Sequence, residues 1–275
     1  MTRSYYAPTG GHPPQTDIMT DRAIFTEAYA VLPAVTHTDI VTSFLPHWEG
    51  TRAWILARPL SGFAETFSQY AIEIQPEGGS MTPEVDVRAE AALFVTHGTP
   101  TLTLGRDTYT LRAGSFVFIP ASAVWTLWNR ADGPCGIHWI RKKFQELPDM
   151  PPPEAFVSHE DDIPSSDMPN AGGLWSTKRF FDPFDLRYDM HINIVTFQPG
   201  GRIPFAETHV MEHGLYVLEG KAVYRLNQDW VEVEAGDFMW LRAFCPQACY
   251  AGGPGPFRYL LYKDVNRHAP LEGFL

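Results

Sequence analysis

A carboxylate and two imidazoles crowd into one short stretch of the chain, Glu207-Thr208-His209-Val210-Met211-Glu212-His213. Glu207 and His209 are two apart, so in an extended strand both project to one face. His213 keeps that parity across a mild bend. Glu212 falls off it and reads as a solvated or structural carboxylate. Oxygen and nitrogen donors converging without a thiolate suit a hard or borderline divalent cation. A lone His-x-x-x-His is commonly incidental, so the weight rests on its surroundings. Gly201 precedes the stretch and Gly220 follows it, and a second glycine-led block runs from Gly236 through Arg242-Ala243-Phe244 to Gln247. Farther on, Tyr259, Leu261 and Lys263 alternate onto one strand face, and Asp264 points the other way. If that face is interior, the lysine must be paired or functional, because burying an unpaired ammonium is costly.

The elements that position these residues come from a repeat. At an offset of 122 residues, Gly79 matches Gly201, Gly98 matches Gly220, Gly114 matches Gly236, and Gly133-Pro134 matches Gly255-Pro256. Leu93, Val95, Leu104 and Phe116 match Leu215, Val217, Leu226 and Phe238 in the same register. So many matches in one register indicate a duplicated domain. Within each half, short runs flank turn residues: Thr101–Leu104 and Thr108–Leu111 around Gly105-Arg106-Asp107, and Ala222–Leu226 and Trp230–Val233 around Asn227-Gln228-Asp229. These read as hairpins of small barrels, with Ala222, Tyr224 and Leu226 facing inward. The fold class is therefore all-β, two tandem barrels in one chain. Residues 1–146 form the first, a proline-rich acidic stretch over 147–173 reads as a linker or surface arm, and 174–275 form the second.

The glycine-bounded stretches resemble the cupin superfamily, a double-stranded β-helix or jelly-roll barrel. Its pattern places Gly, five residues, His-x-His, three or four residues, Glu, six residues and Gly, with a last His after a second block. Here Glu207 stands at the first His, His209 at the second, His213 at the Glu and Gln247 at the last His. The resemblance implies a metal held by Glu207, His209, His213 and Gln247. That donor set suits Mn²⁺ or Fe²⁺ and carries one negative charge, leaving the centre near +1 and favourable to an anionic substrate. At the same offset the first barrel has Val85, Val87, Ala91 and Trp125, none of which holds a metal. One metal per chain follows, with the first barrel plugged by apolar side chains and serving a structural or oligomeric role.

The resemblance narrows further. Glu207 to Gly214, Leu218-Glu219-Gly220, Tyr224-Arg225-Leu226 and Arg258-Tyr259-Leu260-Leu261-Tyr262-Lys263-Asp264-Val265-Asn266-Arg267 resemble the bicupin (S)-ureidoglycine aminohydrolases of purine and allantoin breakdown. Asp39 to Pro46, Thr51-Arg52-Ala53-Trp54 and Gly62-Phe63-Ala64-Glu65-Thr66 do so too. The likeness covers nearly the whole chain and is weakest in the first 20 residues and the linker. It implies manganese as cofactor and hydrolytic deamination of (S)-ureidoglycine to (S)-ureidoglycolate and ammonia. It also implies catalytic parts for Lys263, Tyr259 and Glu207, with substrate contacts from Glu207, Gln247, Tyr259, Lys263 and Tyr224. Lys263 would pair with the carboxylate or move a proton; the general acid and base are not assigned. Two other classes stay open: a different metal-dependent cupin enzyme, such as a dioxygenase or isomerase, and a non-catalytic bicupin that binds a small acid.

Composition bounds the rest. A hydrophobic share of 44% suits a chain that buries a full core, and the formal charge of −11 excludes a nucleic-acid or anionic-membrane surface. No apolar run is long enough to span a bilayer, and the N-terminus lacks the apolar core of a signal peptide. The three cysteines show no Cys-x-x-Cys spacing and read as buried free thiols. A cytoplasmic homo-oligomer acting on a small molecule is the expectation.

Overall fold

A computed structural model describes residues 22–37, 43–59, 63–265 and 267. The extreme N-terminus and positions 39–42, 62 and 266, cited above for the resemblance, lie outside the described residues. The regular structure of the described residues is almost wholly strand, and the strands form two barrels. In the first, a nine-stranded sheet is closed by the long strand Ser68–Ser80. Its body pairs with Cys135–Lys143, while its end, Gly79 and Ser80, pairs with Trp128 and Leu127. In the second, an eight-stranded sheet containing His213–Glu219, Phe257–Asp264, Met190–Phe197 and Trp175–Arg179 faces a three-stranded sheet of Lys221–Leu226, Asp229–Glu234 and Gln247–Ala251.

The matched glycines sit where another residue would collide. A Cβ on Gly220 would lie 2.1 Å from the Pro256 carbonyl oxygen, and one on Gly98 would lie 2.4 Å from the Cys135 side chain. Both have left-handed φ, +80° and +77°, which glycine adopts without penalty.

Alternation along the strands sorts side chains into three cores. Phe257, Tyr259 and Leu261 point into the second barrel beside Leu215, Val217, Ala222, Tyr224 and Leu226. Their neighbours Leu260 and Tyr262 point outward, into a core shared with Phe67, Ala92, Phe94, Phe116, Phe118 and Ile140 of the first half. A strand buried on both faces needs an unbroken apolar run, as in Phe257–Tyr262. The barrels thus pack back to back through aromatics, Phe67 stacking on Tyr262 at 4.0 Å and Phe116 on Phe180 at 4.1 Å.

The interior of the first barrel is filled by Trp48, Tyr70, Trp125 and Trp139 with ring centroids 5.4–6.5 Å apart. Trp125 and Ala91 are buried as a plugged barrel requires. Val85 and Val87, however, are 65% and 70% exposed, because the segment carrying them lies outside the barrel.

Sequence order misplaces two segments. Tyr29–Leu32 pairs with Phe238–Leu241 and so extends the second barrel's sheet rather than the first's. Tyr29 and Val31 join that barrel's interior, and the Tyr29 hydroxyl donates to Asp229 at 2.6 Å. The gain is a covered sheet edge. The stretch 147–173 likewise contributes a strand to each barrel, Phe156–His159 against Ser115–Ile119 and Ser165–Asp167 against Trp175–Arg179.

Glu212 is not solvated. It is buried, and its carboxylate accepts from the Glu65 and Thr66 backbone N–H groups, the Thr66 hydroxyl and the Trp240 indole N–H at 2.6–2.9 Å. Glu212 therefore clamps the second barrel to a loop of the first. Removing it leaves several buried donors without an acceptor, each costing about 1–3 kcal/mol. Glu212→Ala is expected to lose more than ~3 kcal/mol of stability in chemical denaturation, and Glu212→Gln less. An alanine variant within ~0.5 kcal/mol of the parent would mean the clamp bears no load.

Candidate metal centre and active site

Glu207 and Gln247 lie directly opposite one another in an isolated antiparallel bridge, each backbone N–H donating to the other's carbonyl at 2.9 Å. Directly opposed residues send their side chains to the same face, so a carboxylate and an amide distant in sequence become neighbours. His209 stands beside them, its Nε2 3.4 Å from Glu207 Oε1. Its carbonyl accepts from the Phe244 N–H at 2.6 Å, with Phe244 at φ +66°, which ties the two loops of the mouth together. His213 opens the strand His213–Glu219, and its ring stacks on that of His209 at 5.1 Å and 22°. The four residues singled out from sequence therefore share one barrel mouth.

His213 is buried, and its Nδ1–H donates to the Met211 carbonyl at 2.9 Å. That bond fixes the tautomer with Nε2 as the free acceptor, the arrangement usual for an imidazole metal ligand. Burial, with His209 and Lys263 nearby, pushes its pKa down to about 3, so the ring is neutral at neutral pH. The donor chemistry fits a divalent cation. Among the described residues, however, no three His, Cys, Asp or Glu side chains are already closed around one point. The donors face one another without being drawn to coordination distance.

Below this mouth lie the tyrosines. Tyr259 and Tyr224 are buried with rings 6.3 Å apart at 67°. Burial raises the pKa of both, and the Glu207 carboxylate adds to the rise of Tyr259. Lys263 pairs across the sheet with His213 on one side and His191 on the other. It is half-buried and makes no ion pair among the described residues. Burial and the nearby Arg179 lower its pKa, while Glu207 and Asp264 oppose that shift. Asp264 points away, accepting from the Glu212 N–H at 2.6 Å, and burial lifts its pKa to about 6.

Two polar groups of this mouth escaped the sequence reading. Arg179 ends the strand Trp175–Arg179 on the same side as the buried Trp175 and Thr177, and His191 keeps a buried Nε2 with no partner. The signal was there in the alternation of 175, 177 and 179, but neither residue stands in a motif. Two clefts flank the region. One of about 520 Å³ is lined by Thr66, Val210, Glu212, Trp240, Phe244 and Asp264; another of about 490 Å³ lies between the barrels by His37, Glu73, His138 and Tyr216. Neither contains any of the four donors.

All three cysteines are free and buried, as composition suggested. Among the described residues no helix is long and apolar enough to cross a membrane.

Comparison with known proteins places this architecture. The Cupin domain family matches residues 71–141 and 193–262, one copy per barrel. An (S)-ureidoglycine aminohydrolase of Arabidopsis thaliana is 30% identical over 258 residues, covering 90% of this chain and 79% of that protein. The (S)-ureidoglycine aminohydrolase of Escherichia coli is 29% identical over 254 residues, covering 91% and 94%. A crystal structure from Pseudomonas aeruginosa, of a protein described in terms of induction by glyoxylate, superposes with a TM-score of 0.89. It is 63% identical and covers 98% of this chain and 99% of its own. The chain thus belongs to the bicupin (S)-ureidoglycine aminohydrolase family of the cupin superfamily.

Proposed function

We propose that this protein hydrolyses (S)-ureidoglycine to (S)-ureidoglycolate and ammonia, using one manganese ion in the second barrel. The observation that carries the reading is the match of nine-tenths of the chain to relatives named for that activity. The mouth chemistry supports it: carboxylate, two imidazoles and an amide oxygen at one opening, with a lysine and two tyrosines behind them. Glu207, His209, His213 and Gln247 would hold the ion. When bound, it supplies a positive centre that anchors an anionic substrate and polarises the atoms bound to it.

The protein's own groups do the rest. In the reaction a C–N bond breaks and a C–O bond forms at one carbon, with water entering and ammonia leaving. Glu207 is an acceptor placed to take or orient a proton at the mouth. Lys263, without a partner of its own, meets the substrate's negative charge or moves a proton toward the departing nitrogen. The Tyr259 and Tyr224 hydroxyls stay protonated at neutral pH, so each can donate to the ureido oxygen. Cytoplasmic location and assembly into a homo-oligomer belong to the same reading.

Ammonia release from freshly generated ureidoglycine tests the proposal. Release is expected only after loading with Mn²⁺, and none from fully loaded protein would sink it. Elemental analysis is expected to give about one ion per chain, because the first barrel offers Ala91 and Trp125 where the second offers His213 and Gln247. Two tightly held ions per chain would refute that asymmetry. Lys263→Met keeps the stem and its packing while removing the charge, so metal content should hold. Its kcat/KM is expected to fall about tenfold to a hundredfold, as loss of a charge-assisted contact implies. Lys263→Arg should rescue only in part, since a guanidinium is bulkier and does not shuttle protons. Parental rates in Lys263→Met would put the lysine outside the site.

A further inference from the structure

The two barrels share one mouth position but solve its charge differently. In the first, Arg141 stands where Lys263 stands in the second, and it pairs across the sheet with Ala91 as Lys263 pairs with His213. Arg141 is held by a carboxylate of the chain itself: its Nε and Nη2 donate to both oxygens of Glu84 at 2.5 Å, and its guanidinium lies 5.4 Å over Trp139. Lys263 makes no such ion pair among the described residues, although the Glu207 carboxylate acts on it from farther off. The second mouth therefore keeps the cation without a carboxylate clamped to it.

It also gains a cation. Where the first barrel has Ile55, opposite Tyr70 and packed against its interior, the second has Arg179, opposite Asn193 in the ladder and on the interior side. Arg179 makes no ion pair or hydrogen bond among the described residues, and neither does Lys263. Both lie close to His191, whose Nε2 is buried and unpartnered. Arg179 and Lys263 stand on the two strands that flank the His191 strand, and Lys263 feels Glu207 and Asp264 without an ion pair to either, so two half-buried cations share one region, an arrangement that a bound anion relieves.

We infer that Arg179 and Lys263 together form a carboxylate-binding wall, in which the substrate's carboxylate takes the place that Glu84 occupies in the first barrel. The inference rests on the proposed function and adds to it the group that recognises the acid. Arg179 becomes a specificity-determining residue for small α-substituted carboxylic acids. Its planar fork suits a carboxylate presented edge-on.

Binding separates this idea from turnover. The probe is carbamoylglycine, which has the ureido and carboxylate groups without the departing amine; its neutral primary amide serves as control. Calorimetry on the Mn²⁺-loaded protein is expected to show the acid binding at least about tenfold tighter than the amide. Arg179→Gln should lower the acid's affinity about tenfold to a hundredfold, leave the amide's unchanged and preserve metal content and unfolding midpoint. Arg179→Lys should restore part of the loss. Equal affinities for acid and amide in the parent, or parental acid affinity in Arg179→Gln, would overturn the wall. If instead the acid preference depends on Arg179 while ureidoglycine is not turned over, the wall stands and the proposed reaction falls.

Discussion

His213 and Glu212 are consecutive, and strand geometry sends them to opposite sides. One ring faces the mouth of the second barrel; the neighbouring carboxylate reaches back to Glu65, Thr66 and Trp240. The same alternation runs through Tyr259, Leu261 and Lys263 against Leu260 and Tyr262. Every interior group of the site is therefore registered by what its neighbour does at the interface between barrels. A shift of one residue would exchange the two sets and bury charges among phenylalanines. The first barrel is in this way the surface against which the second is held.

The first barrel also shows what an inert version of the site looks like. Trp48, Trp125 and Trp139 occupy the volume, and Arg141 is neutralised by Glu84. At the position of Glu212 it carries Glu90, likewise buried at the interface, beside Asp189, Lys142 and Arg267. Burial, together with the neighbouring Asp189 carboxylate, raises the Glu90 pKa well above its ordinary value, with Lys142 and Arg267 opposing the shift. The duplicated glutamate thus survives in both halves as an interface residue, satisfied by backbone and indole donors in one and set within a compact ionic group in the other.

Much of this was legible in the chain. Glycines at close backbone approaches marked the repeat, and simple parity put Ala222, Tyr224 and Leu226 inside the second barrel, where they are buried. Local spacing also brought Glu207, His209 and His213 together, and a family pattern added Gln247. What escaped depends on contacts distant in sequence. Glu212 read as either solvated or structural, because nothing nearby announces the four donors that arrive from elsewhere and make it structural. Val85 and Val87 kept the offset of the metal donors but not their place, since the loops at the mouth diverge more than the strands. Arg179 belongs to no motif, and its meaning appears only beside Lys263.

The strand Tyr29–Leu32 closes the sheet of a barrel made from the far end of the chain. During synthesis it emerges long before its partner, Phe238–Leu241. Until then the barrel that carries the donors presents an open edge of backbone groups, the kind of edge that recruits foreign strands. The chain is in this sense laced shut, an early strand tied to a late one. The second barrel is consequently not a portable module: cut out on its own it would lose both its back wall and its hem.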